Sequence, residues 1–266
     1  MSAAEPRAAR PNAFPANWAS RAAWIGLALY TIYATSILDI TWARFLTGLG
    51  NGAKFLARMF PPNMQADKLD LIATGMIESM QIAVLATFFG VLLSLPLGLA
   101  AARNLAPPWL AWSARGLIAI FRSFHPVIVS ILFVKAVGFG ALAGILALIV
   151  SSMGFVSKLF AEVVEEMNPK QVEAVRATGA NFWNVLVMAV FPQVMARFVG
   201  LTVYQFDSNI RNSTMVGIVG GGGIGAPLFT AYQRFDYDVV LTILIIIIAI
   251  IMVAELVSGR IRRIFQ

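Results

Sequence analysis

The sequence predicts an all-α, polytopic integral membrane protein of about six transmembrane helices. Three observations carry that expectation. The chain is 59% hydrophobic and 12% charged, about half the charged fraction of a soluble domain. Its apolar stretches each approach the ~20 residues that a helix needs to cross a bilayer. Lys and Arg collect near the ends of those stretches rather than on one face.

The 266 residues suffice for one integral domain and leave no room for a separate soluble one of useful size. The net charge of +7 is scattered at span ends, which fits anchoring to the lipid bilayer and argues against nucleic acid. With no Cys and a single His, His125, disulfides, zinc–thiolate sites, thiol catalysis and a His-rich metal centre are excluded.

Residues 1–20 hold Pro6, Pro11, Pro15, Arg7 and Arg10 and read as a polar cytoplasmic tail. Residues 21–70 supply a first span from Ala22 to Leu38, retained rather than cleaved, and then an interfacial helix. In that helix Trp42, Phe45, Leu46, Leu49 and Leu56 recur at helical spacing, with Arg44, Asn51, Lys54 and Arg58 largely elsewhere. Pro61-Pro62 ends it. The core, 71–266, places further spans near Ile77–Ala102, Leu110–Lys135 (interrupted at His125-Pro126), Ala141–Phe160, Pro192–Arg211 and Val239–Val257. Gly90, Pro96 and Gly98 allow close helix approach and helix breaks.

With both termini in the cytoplasm, ten basic residues near span ends lie inside (Arg7, Arg10, Arg21, Arg103, Lys158, Lys170, Arg176, Arg260, Arg262, Arg263). Six lie outside (Arg44, Lys54, Arg58, Lys68, Lys135, Arg234), so the positive-inside rule favours this orientation. It puts the loop 162–192 on the cytoplasmic side.

That loop contains a polar island. Asn168 reads as an N-cap, Pro169 as the first helical residue and Gln171 as the capping-box partner. The helix runs to about Thr178, and Gly179 ends it in the left-handed conformation. At roughly ten residues, about 15 Å, it is either a docking helix or an ordinary solvated loop. The spacing Glu173-Ala174-Val175, three residues, Gly179, nine residues, Ala189-Val190-Phe191-Pro192 resembles the EAA loop of ABC importer permeases. This chain departs from that family's pattern at Val175, Ala189 and Phe191, always with an apolar residue.

A second stretch, Tyr204 to Gly225, carries Asp207, then Asn209-Ile210-Arg211-Asn212-Ser213-Thr214, then a glycine run. Gly220, Gly222 and Gly225 satisfy G-x-G-x-x-G, a weak match here because the run lies between membrane spans without a βαβ context. The stretch resembles the phosphonate-type branch of the same permeases, with Asp207 where Glu is usual. The resemblance extends through Arg122, Pro126, Gly138, Gly140, Gly144, Lys158, Glu162 and Glu166, from about Leu71 to the end. Independently of it, glycine-rich backbone at membrane depth must be buried in protein or line a wet cavity. Arg211, Asn212, Ser213 and Thr214 then offer donors suited to an anion. The competing reading is that Asp207 and Arg211, four apart, neutralise each other.

Other charges read as structural: Lys158, Glu162 and Glu166 as braces along one helix, and Glu78 and Glu255 as headgroup-exposed. Arg115 and Arg122, seven apart, point into the bundle or toward the cytoplasmic surface.

The resemblance implies a type I permease bundle in the bacterial inner (plasma) membrane, importing phosphonate, phosphate or phosphite. It implies a second copy of the chain, two cytoplasmic ATP-binding subunits and an external substrate-binding protein. ATP and Mg would reside in the ATPase partners, and no cofactor in this chain. Coupling falls to Glu173, Ala174, Val175, Arg176, Gly179 and Pro192, and the substrate path and gate to Asn209, Arg211, Asn212, Ser213, Thr214, Gly222, Gly223 and Gly225. The alternative is an ion-coupled secondary transporter of a small anion, with Asp207 as its titrating carboxylate.

Overall fold

The computed structural model describes residues 18–38 and 41–265. The expected N-terminal tail, as far as residue 17, and Asp39 and Ile40 at the exit of the first span lie outside them. Among the described residues all regular structure is helical.

The backbone divides into two compact units, 1–57 and 58–266. The first contains α1 (Trp18–Ile37) and all but the end of α2 (Trp42–Met59). None of its described side chains is buried. Trp24, Leu29, Tyr30 and Ile32 all point outward, as befits a helix whose solvent is lipid. α2 forms as the periodicity predicts, despite Gly48, Gly50 and Gly52.

The second unit is built around α3 (Ala66–Ala101) and α6 (Ala141–Glu165). The break expected at Pro96 does not occur: α3 continues through it for 36 residues, about 54 Å at 1.5 Å per residue. Gly90 and Gly98 instead admit α6. A Cβ on Gly90 would lie 2.5 Å from the Ser152 Cβ, and one on Gly98 2.8 Å from the Phe160 ring.

The span expected over Leu110–Lys135 is interrupted at His125-Pro126, as the sequence predicts. It is α4 (Pro108–Ser123) and α5 (Pro126–Val137), bent by 89°. Pro126 supplies no N–H and forces the residue before it out of helical geometry. Phe124 and His125 are accordingly extended, and His125 caps α5 by accepting from the Val127 N–H at 3.4 Å.

After α6 come α7 (Pro169–Ala177), α8 (Phe182–Val185), a π turn (Leu186–Val190) and α9 (Phe191–Ile218). The π turn has a cause in Pro192, which cannot donate to the ladder and lets the preceding turn widen. α10 (Gly225–Gln233) occupies what the sequence suggested was loop, and α11 (Tyr237–Phe265) closes the unit. α3, α6, the run 182–218 and α11 are each long and apolar enough to cross a membrane. Counting the two bent pairs as spans gives six.

Candidate functional site

Two regions hold the residues singled out above. The first is the loop around α7. Asn168 caps this helix, its Oδ1 accepting from the Lys170 N–H at 3.1 Å. The reciprocal bond comes not from Gln171 but from Gln193 of α9, whose Oε1 accepts the Asn168 N–H at 3.0 Å. Sequence spacing favours the local partner, whereas the fold brings a distant one closer. Gly179, at φ 79°, ends the helix and donates its N–H to the Arg176 carbonyl.

Val172 is buried and Val175 half-buried in an apolar cluster with Phe160, Val164, Leu186 and Val190. The opposite side, with Glu173, Ala174 and Arg176, is exposed, as is Pro192. Val175 therefore anchors the helix while Glu173 and Ala174 face outward. Trp183 and Met188, in the turns that follow α7 and about 70% exposed, did not stand out in the sequence. Large apolar side chains in a membrane protein carry no signal until their exposure is known.

The second region is α9 and the turn after it. Helical spacing divides α9 into two sides. Arg211 and Met215 are exposed with Tyr204, whereas Gln205, Asn209 and Ser213 are buried. Asn209, expected on the substrate path, lies inside the bundle. Its Nδ2 donates to Thr87 Oγ1 at 2.9 Å and to Ser152 Oγ at 3.0 Å, and its Oδ1 accepts from Gln205 Nε2 at 3.0 Å. Four side chains from α3, α6 and α9 thereby satisfy one another. Ser213 likewise turns inward, donating to the Ile210 carbonyl at 2.7 Å. Asn212 and Thr214 are half-buried at the border between the two sides.

Arg211 pairs with Asp207, Nη2 to Oδ2 at 2.9 Å, and keeps 58% of its side chain exposed against 13% for Asp207. The neutralising pair is thus formed, and it still presents the guanidinium outward. The other Asp207 oxygen, Oδ1, is buried without a hydrogen-bond partner among the described residues.

The glycine turn folds back into the unit. The Gly140 N–H donates to the Gly220 carbonyl at 2.9 Å, and the Ile224 N–H to Ser79 Oγ at 2.9 Å. Gly222 has φ 77°, and a Cβ there would lie 2.7 Å from the Ala141 nitrogen and 2.8 Å from Glu78 Oε1. Glu78 is therefore half-buried against the turn rather than extended into headgroups. Gly223 and Gly225 are buried, against Ser79 and the Thr214 carbonyl.

The carboxylates at the end of α6 find one partner that the sequence suggested and others that it did not. Glu162 braces Lys158 at 3.2 Å as expected, but Glu166 pairs with Arg197 of α9 at 2.7 Å. Glu165 joins Arg115 at 2.6 Å and accepts the Arg103 N–H at 2.7 Å. No group of His, Asp and Glu among the described residues is arranged to hold a metal ion.

A family profile described as the inner membrane component of binding-protein-dependent transport systems matches residues 94–266. The chain is 41% identical over 232 residues to the phosphate-import permease protein PhnE of Mycolicibacterium smegmatis. That alignment covers 87% of this chain but only 43% of the relative, so this chain spans less than half the relative's length. It is 37% identical over 242 residues to the phosphite transport system permease protein PtxC of Stutzerimonas stutzeri, covering 91% of this chain and 86% of that one. Among solved structures, an inward-facing MetNI methionine ABC transporter chain superposes with TM-score 0.68 at 24% identity, over 76% of this chain and 100% of that one. A bacterial ABC transporter that imports alginate does so with TM-score 0.62 at 15% identity, over 93% and 99%. The two superpositions speak to the fold alone.

Proposed function

The chain belongs to the family of inner membrane components of binding-protein-dependent transport systems, and on that premise we propose that it imports a phosphorus oxyanion: phosphonate, phosphate or phosphite. It is a permease subunit rather than an enzyme. Its part is to move a solute, and ATP hydrolysis falls to separate subunits, which hold the ATP and Mg. The similarity to permeases named for phosphate and phosphite and the outward guanidinium of Arg211 support this substrate class. A guanidinium can hold two oxygens of a tetrahedral oxyanion at once.

The single observation that carries the mechanism is the two-sided α7. Val172 and Val175 fix it to the spans while Glu173, Ala174 and Arg176 stay free for a partner. Two copies of the chain form the path, and two ATPase subunits in the cytoplasm each receive one α7. Gly179 permits the turn beyond it, and the Pro192 turn connects it to α9. When the ATPases close on ATP, the two loops approach and α9 moves with them, exchanging outward for inward access. An external binding protein delivers the substrate to the outer mouth, beside the glycine turn of Gly222, Gly223 and Gly225. Both termini lie in the cytoplasm.

The test is uptake into proteoliposomes that hold the permease, its ATPase and the binding protein. Uptake of radiolabelled phosphite or phosphate requires internal ATP. Uptake driven by a proton gradient without ATP would establish the secondary transporter instead and overturn the coupling role of α7.

A further inference from the structure

The structure contains a second exposed guanidinium, that of Arg122, which lines a hollow with Arg115, Lys158 and Glu162 and, unlike Arg211, is in no ion pair among the described residues. Arg122 lies in the last turn of α4, just before the 89° bend. Its stem crosses Gly154 of α6, where a Cβ would meet Arg122 Cγ and the Phe121 Cβ at 3.0 Å each. Gly154 is near the middle of the 25-residue α6 and within the span Ala141–Phe160 that the sequence predicts. An unpaired cation inside a span is costly to leave in hydrocarbon and is a candidate to face water or an anion.

The neighbouring cations are compensated. Arg115 has Glu165, Lys158 has Glu162, Arg197 has Glu166 and Arg211 has Asp207. Arg122 is exposed and makes no ion pair among the described residues. It borders a hollow of about 390 Å³ that also takes in Ser123, His125, Ser151 and Phe155. Phe155 stacks on Tyr204 of α9, ring centres 5.5 Å apart. Tyr204 shares the exposed side of α9 with Arg211, seven residues on. One aromatic pair therefore joins the Arg122 hollow to the Arg211 face.

The geometry points to Arg122 as a specificity-determining residue that binds the anionic group of the substrate at the α4–α5 bend. This rests on the importer reading above. The bound chemistry is a tetrahedral phosphorus oxyanion held by the guanidinium fork, with the Ser123 and Ser151 hydroxyls beside it. In a paired transporter each copy brings one such cation to the path.

Because the chain has no Cys, Arg122→Cys creates a unique thiol, and charge can be restored chemically. The experiment measures ATP-driven uptake of radiolabelled phosphite by the reconstituted transporter, in phosphatidylcholine vesicles and in vesicles with added anionic lipid. Arg122→Cys and Arg122→Gln should each reduce uptake about tenfold or more, the scale of a lost charge-assisted hydrogen bond. A cationic methanethiosulfonate reagent should restore much of the Arg122→Cys activity, whereas an anionic reagent of similar size should not. Arg122→Lys should retain an intermediate rate. Wild-type rates in Arg122→Gln, or equal effects of the two reagents, overturn the proposal. A loss confined to the vesicles with anionic lipid assigns the cation to a lipid headgroup and overturns it too. Failure of the unmodified transporter to take up any phosphorus oxyanion would instead overturn the importer reading itself.

Discussion

At the scale of single residues, exposure separates groups that look alike in the sequence. Asn209, Arg211 and Ser213 sit within five positions, yet Arg211 faces out and the other two face in. Arg211→Ala should lower ATP-driven uptake about tenfold, again the scale of a charge-assisted bond. Arg234→Ala, in an exposed position after α10, should change it little. Equal and mild effects would reduce Arg211 to a structural partner of Asp207. Gly222 makes a different kind of prediction. Its φ of 77° and the 2.7 Å approach to the Ala141 nitrogen leave no place for a methyl group. Gly222→Ala should therefore destabilise the chain by about 1–3 kcal/mol, read as a lower melting temperature in detergent, whereas Gly116→Ala, where nothing lies within 4 Å, should not.

At the scale of elements, α7 has an anchored side and an exposed side, and substitutions should separate the packing of one from the proposed docking of the other. Glu173→Lys should reduce uptake while leaving melting temperature and membrane yield unchanged, since Glu173 is exposed. Val172→Asp should lose both, because it places an unpaired charge in the cluster around Phe160 and Leu186, at about 2–3 kcal/mol. Normal uptake by Glu173→Lys would count heavily against docking through this surface. The helix itself was legible beforehand because its signals are local: an Asn cap, Pro at the first position and Gly at the stop. The Gln193 bond to the cap was not, because Gln171 satisfies the same pattern and only packing brings α9 alongside. The α4–α5 bend shows a related limit. His125-Pro126 marks an interruption, but the angle depends on which surfaces the two halves find.

At the scale of the whole molecule, orientation is the premise on which coupling depends. Glu173→Cys in the Cys-free chain should react with an impermeant maleimide only from the cytoplasmic side, in inverted vesicles and not in intact cells. Labelling from outside would put α7 on the wrong side of the membrane. The sequence by itself determined the class of the protein, the number of apolar stretches, the capped helix and the family resemblance. Each of those is a property of composition or short-range spacing, governed by lipid as solvent and by backbone chemistry within a few residues. Only the tertiary structure decided which polar groups satisfy one another and which remain exposed. Thr87, Ser152, Gln205 and Asn209 meet across three helices, while Arg122 is left exposed without an ion pair among the described residues. The physical reason is that every helix has two sides with the same period, and only packing chooses between them.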